Sequence, residues 1–220
     1  MRHKKVLFIS LLVFLSMLFL ALAIPVIIIE TRSKVINNDY QYLLSEGKIK
    51  EVKIDNVPLV KQEISCGYAI IEMLSEYYGI KVTEEELYQK NNSSISTSST
   101  AGFVSEINET IKDIKHEAKT YLKNDELLLT INASLLKGRP VAIEWAAKLD
   151  GKWTLHWSVV TGMDNEHIYI NNPYGYKEIL SYQEFIDRCT FNAFSDMSIG
   201  YYLGFAYGLF SKNTIIACEE

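Results

Sequence analysis

The chain has 220 residues, 48% of them hydrophobic and 22% charged; this suffices for one sizeable globular domain with appendages and is too little for two comfortable ones. A formal net charge of -5, with no Lys/Arg-rich stretch in the body of the chain, argues against a nucleic-acid binder, which needs basic side chains to neutralise phosphates. The three cysteines fall in no CxxC or Cys/His cluster, so no metal site is expected.

At the amino terminus, Arg2-His3-Lys4-Lys5 precedes an uncharged apolar run from Val6 to Ile29. Roughly 20 apolar residues cross a bilayer, whereas the apolar core of a secretory signal needs only about 7 to 15. The run therefore reads first as a single membrane anchor over residues 1–30, and its basic flank holds that end in the cytoplasm and places the body outside. A cleaved signal is the alternative, because Ala21-Leu22-Ala23 forms an A-x-A-like site. Residues 31–56 are polar and read as a tether with one short helix and strand, so the folded domain is expected over 57–220.

From Gly67 to Tyr78 the apolar residues Ile70, Met73, Leu74 and Tyr77 repeat with helical spacing, and Gly79 supplies the stop. Thr83 and Glu86 make a capping box for a second helix. Thr100 starts a third, running to about Lys115, and Asn124 or Asp125 a fourth, ending at Lys137-Gly138. Beyond Pro140 the pattern turns extended: Val141 to Ala147, Trp153 to Met163 and His167 to Asn171 are rich in β-branched and aromatic residues, separated by turns at Asp150-Gly151 and Asp164-Asn165. Ser181 to Cys189 reads as an intervening helix with Glu184 completing a capping box, and the glycine-punctuated stretch Ile199 to Phe210 as one or two late strands. The layout is α+β, helices first and an antiparallel sheet second.

Cys66 stands at the start of the first of these helices, where unpaired N–H groups and the helix dipole favour a thiolate. Three cysteines in an oxidising compartment leave at least one thiol unpaired unless it bridges to another chain; Cys189 and Cys218 could pair with each other or be small buried side chains. Of the four histidines, His3 belongs to the basic flank, His116 falls in a charged stretch that reads as surface, and His167 has the other strand parity. His156, between Leu155 and Trp157, is a buried imidazole that requires a partner. A hairpin centred near Asp164 would set Asn172 opposite His156, where an amide accepting the Nδ1–H would aim Nε2 at a thiol.

These residues carry a resemblance. Val57-Pro58-Leu59-Val60-Lys61-Gln62, Ser65-Cys66-Gly67-Tyr68-Ala69, Tyr77-Tyr78-Gly79, His156-Trp157-Ser158-Val159-Val160 and Asn171-Asn172-Pro173-Tyr174-Gly175 resemble the bacteriocin-processing, double-glycine-type peptidase family and its stand-alone relatives in the papain-like superfamily. The resemblance implies a papain-like fold, a nucleophile at Cys66, a general base at His156, an orienting Asn172 and an oxyanion-stabilising Gln62, with a peptide or protein as substrate and no cofactor. Two departures stand out. Asn172 replaces the family's usual Asp, and Gln62 precedes Cys66 by four residues, a shorter gap than usual. A catalytically inactive surface binding module, or acyl transfer from Cys66 to another amine, would use the same residues. Trp145, Trp153 and Trp157 could line a cleft, although core packing is the commoner fate of strand tryptophans.

Overall fold

The computed structural model describes residues 2–36, 39–93, 95–191, 197 and 199–219. The apolar run forms helix α1, Arg2–Ile36, which continues past Pro25 and beyond the expected end of the anchor. Its segment Lys5–Ile27 is long and apolar enough to cross a bilayer and is not buried inside the protein.

The expected tether is partly structural. Tyr40, Leu43 and Ile49 are buried, with Leu43 on the short helix α2, Gln41–Ser45. Strand β1, Val52–Lys53, pairs with Met163 and Gly162 of a later strand. The side chain of Asn132 clamps this segment by binding both Lys50 N–H and Lys50 C=O, at 3.0 and 2.7 Å. Folding thus begins near residue 40, because three well-spaced apolar anchors and one amide clamp suffice without any periodic pattern.

Next come α3 (Cys66–Tyr77), α4 (Glu84–Asn91), a single 3-10 turn (Ile95–Ser98) and α5 (Thr100–Thr110). Ser65 caps α3 by accepting the N–H of Tyr68, and the Thr83–Glu86 box closes in both directions on α4. Helix α5 stops short of Lys115, because residues 116–119 form strand β2 (His116–Lys119). Helix α6 (Asn124–Leu136) leads to β3 (Val141–Leu149) and β4 (Lys152–Met163). Asp150 and Gly151 join these two strands with positive φ at both positions, the backbone that a tight right-twisted hairpin demands. Then follow β5 (His167–Asn172), β6 (Tyr176–Ser181), α7 (Tyr182–Cys189), α8 (Ile199–Ala206) and β7 (Thr214–Cys218).

The strands form one antiparallel sheet in the order β2-β7-β3-β4-β5-β6, with β1 added on β4. Its faces are covered by different helices. Trp157, Val159, Ala142 and Ile216 pack on Ile70, Met73, Leu74 and Phe103 of α3 and α5, while Trp145, Ile143, Val160 and Ile170 pack on Leu128, Ile131 and Phe185 of α6 and α7. Each fully buried large apolar side chain stabilises the fold by roughly 1.5–3 kcal/mol.

Several expectations are corrected. Ile199–Ala206 is helical rather than extended, since tertiary packing of Phe205 against Ala146 and Phe191 outweighs aromatic strand propensity. Glu184 does not complete a capping box: Ser181 accepts its N–H, and its carboxylate turns to Arg188. His116 is buried, not on the surface; its Nδ1 meets the carbonyl of Ile114 and its Nε2 lies 3.6 Å from the Cys218 sulfur. Cys189 and Cys218 are unpaired and buried. Strands β2, β6 and β7 lack the long alternating runs that would mark them in sequence.

Candidate active site

The β4–β5 ladder begins at Met163/Ile168 and its last pair is Val159/Asn171, whereas β4 stays paired with β3 down to Lys152. Beyond Val159, β4 therefore presents an open edge towards β5, and the start of α3 meets it there. The backbone N–H of Trp157 reaches the Cys66 sulfur, together with the N–H groups of Gly67 and of Cys66 itself. Trp157 is the neighbour of His156. Tyr174 joins the two: its ring stacks on the imidazole at 3.9 Å and lies within electrostatic range of the thiol.

His156 is buried, and its Nε2 lies 2.9 Å from Asn172 Oδ1. The protonation pattern follows from the other bonds of that amide. Oδ1 also accepts the N–H of Tyr174 at 2.9 Å, and Nδ2 donates to Glu178 Oε1 at 2.6 Å. With Oδ1 fixed as the acceptor, Nε2 must carry the proton, which leaves Nδ1 as the basic nitrogen. The expected roles of the two ring nitrogens are thus exchanged. The register differs as well. Asn171 faces Val159, so Asn172 stands diagonal to His156 rather than opposite it, on the same face. A bulge between Val160 and Gly162 and the Asp164-to-His167 turn shift the pairing by two residues and preserve its parity.

Burial dominates the electrostatics. It pushes the Cys66 thiol up to about 11, against the pull of the three N–H groups and with a smaller upward push from Glu144. It pushes His156 down to about 4, partly opposed by the bond to Asn172. The resting pair is a neutral thiol beside a neutral imidazole.

Gln62 is tied to the same corner through its backbone, its N–H donating to Pro173 O at 2.7 Å. Its side-chain Oε1 is buried without a hydrogen-bond partner among the described residues. Between Gln62 and Cys66 the chain is held by Glu84, whose buried carboxylate accepts the N–H groups of Glu63, Ile64 and Ser65 at 2.6, 3.2 and 3.3 Å. Asn171 holds the preceding stretch by donating to the carbonyls of Val57 and Pro58. Gly67 is required where it stands, because a Cβ there would lie 2.3 Å from Thr97 Cβ.

His156 is thus bonded to Asn172, Gln62 is tied to the turn after Asn172, and Cys66 meets the backbone of Trp157; among the described residues no hydrogen bond joins Cys66 to His156 directly, and the Tyr174 ring is what lies close to both. The tryptophans do not line a cleft. Trp145 and Trp157 are buried, with Trp145 donating to Ser158 Oγ and Trp157 edge-on to Phe103, while Trp153 is half-buried beneath Lys148 and Arg188. Sequence reasoning missed Glu84, Glu144 and Glu178. Glu144 is buried on β3 beside the thiol, bonded by Ser211 N–H and the Thr100 side chain, with Oε2 unpartnered among the described residues. Glu178 had a signal: the Tyr174-Gly175 turn sets Ile170 against Glu178, next to Asn172 and on its face. Among the described residues no group of acidic, His or Cys side chains has the arrangement of a metal site.

The profile of the Peptidase_C39 like family matches residues 54–199. No curated protein matches the chain by sequence. Solved structures with the same fold include two peptidases. A C39-like peptidase from Bacillus anthracis superposes with a TM-score of 0.50 at 15% identity, covering 78% of this chain and 98% of its own. A double glycine motif protease from an AMS/PCAT transporter, solved in complex with the leader peptide, superposes with a TM-score of 0.52 at 16% identity, covering 78% and 99%.

Proposed function

We propose, for a chain that belongs to the Peptidase_C39 like family and is by that membership a cysteine peptidase, that peptide bonds are hydrolysed outside the cytoplasm by Cys66, His156, Asn172 and Gln62. The observation that carries this reading is the chain of bonds from Glu178 through Asn172 to His156 Nε2, which leaves Nδ1 as the base on the residue next to the one whose N–H meets the thiol. Because both partners are neutral at rest, proton transfer from sulfur to Nδ1 accompanies attack on the scissile carbonyl instead of preceding it. The Cys66 N–H and the Gln62 amide receive the oxyanion, His156 returns its proton to the leaving amine, and water then hydrolyses the thioester. Peptides are the substrate class, in keeping with the related protease solved with a leader peptide. Helix α1 anchors the chain, with its basic end in the cytoplasm.

The test is a peptide-library digest by the full chain in lipid vesicles, read by mass spectrometry beside Cys66→Ala and His156→Ala. Cleavage lost in both variants is expected, with kcat/KM for a cleaved peptide level between the limits near 4 and 11 set by His156 and Cys66. Cleavage surviving in Cys66→Ala would overturn the mechanism. A parent chain that binds peptides and cleaves none would favour a binding module.

A further inference from the structure

Helix α8 and the turn after it contain no charged side chain from Ile199 to Phe210. The inner face of α8 packs on the sheet through Phe205, with Tyr201, Trp153 and Leu155 around it. The outer side leaves Leu203, Tyr207 and Leu209 exposed by 36%, 56% and 60%, an apolar patch of the kind that marks an interaction surface. Its surroundings identify the partner. Helix α8 runs against α1, and the Tyr207 hydroxyl donates to the carbonyl of Ala21 at 3.0 Å. Ala21 lies inside the apolar span Lys5–Ile27, roughly 9 Å before its outer end at 1.5 Å per residue. The exposed patch is thus continuous with the lipid-facing surface of α1 and falls at the depth of the outer leaflet, where tyrosine concentrates. The same helix reaches the catalytic corner, since Tyr201 lies within electrostatic range of the Cys66 thiol and roughly 9 Å along the helix axis from Tyr207.

We propose that α8 and the turn through Leu209 are seated in the outer leaflet beside α1, and that this second, non-spanning contact holds the Cys66 site at the bilayer surface, where it cleaves peptides presented by the membrane. The proposal rests on the reading of α1 as a membrane anchor and on the peptidase mechanism above. A bilayer is the occupant argued for, because the patch extends an apolar surface that lipid already covers. Peptides anchored at the membrane, or emerging from it, are the substrates such a site reaches first.

The full chain carrying Cys66→Ser and Leu209→Cys, labelled with a nitrobenzoxadiazole dye, is reconstituted into phosphatidylcholine vesicles containing lipids with shallow nitroxides. A matching label at Leu136→Cys, exposed at the end of α6, is the reference. Blue-shifted emission at 209, quenched at least twofold, with an unquenched label at 136, is expected. Water-like, unquenched emission at 209 in a chain that floats with the vesicles would overturn the insertion and leave the anchor standing. A chain that does not float would overturn both. For the substrate half, a peptide that the parent chain cleaves is supplied free or coupled to lipid. At least tenfold faster cleavage of the coupled form is expected, with Leu209→Glu abolishing the preference and sparing the free peptide; equal rates for the two forms would sink that half, whereas a parent chain that cleaves no peptide of the library would locate the failure in the mechanism.

Discussion

Replacing Glu178 separates orientation from charge at His156. Its carboxylate binds Asn172 Nδ2 at 2.6 Å on one oxygen and Arg188 at 2.8 Å on the other. Arg188 balances the charge of that carboxylate, so Glu178 acts on His156 chiefly through the amide that it orients, and a neutral acceptor in its place keeps most of that action. Losing the charge-assisted hydrogen bond itself would remove roughly 1.5–3 kcal/mol and free the amide to turn, a loss of roughly 10- to 100-fold. Glu178→Gln keeps an acceptor for Asn172 and is expected to lower kcat/KM about threefold, whereas Glu178→Ala is expected to lower it at least tenfold. The assay is cleavage of a library-derived peptide, with melting temperature as the control for folding. Equal losses in the two variants would show that orientation is not what Glu178 supplies. Asn172→Asp extends the test, because it sets a second carboxylate against Glu178 and should impair the enzyme, while Asn172→Asp with Glu178→Gln should recover it.

Glu84→Gln takes one acceptor oxygen from the three N–H groups before Cys66; a loss of roughly 2 kcal/mol, seen as a melting temperature lower by roughly 4–8 °C, is expected along with slower cleavage. Gly67→Ala drives a Cβ into Thr97 and should abolish activity, with Thr97→Gly in the same chain restoring a measurable part of it. Glu144 is pushed up by burial from 4.5 to about 8, so the stability it contributes is complete below its unfolded value and is lost, by about 5 kcal/mol, as pH rises through that window. Glu144→Gln should therefore flatten melting temperature between pH 5 and 8, and an unchanged slope would refute the assignment. His156 acts in the opposite sense: its value falls from 6.5 to about 4, so its contribution is lost as pH falls through that range.

The residues that bear the proposed chemistry were legible because each breaks a local rule. Cys66 is a thiol at a helix start with no partner cysteine, and His156 is an imidazole in an apolar strand; both stand out against composition alone. The exact hydrogen bonds were not legible, because they depend on register. A bulge of one residue at Thr161 and the span of one turn move Asn172 to a diagonal position and exchange the two imidazole nitrogens, while parity, the only quantity that period-two patterning fixes, survives. Helix α8 failed for another reason. Aromatic and glycine content signals strand when the sequence is taken in isolation, yet a helix is the conformation that satisfies its own backbone groups without a neighbouring strand. What fixes the helix is the packing of Phe205 on Ala146 and Phe191, residues distant in the chain that no local pattern reveals. The carboxylate behind Asn172 was hidden by the same reliance on a single position. Where the family's usual Asp would place a charge directly on the imidazole, this chain keeps a neutral amide in contact and moves the carboxylate one bond outward to Glu178, a substitution visible only once β5 and β6 are paired.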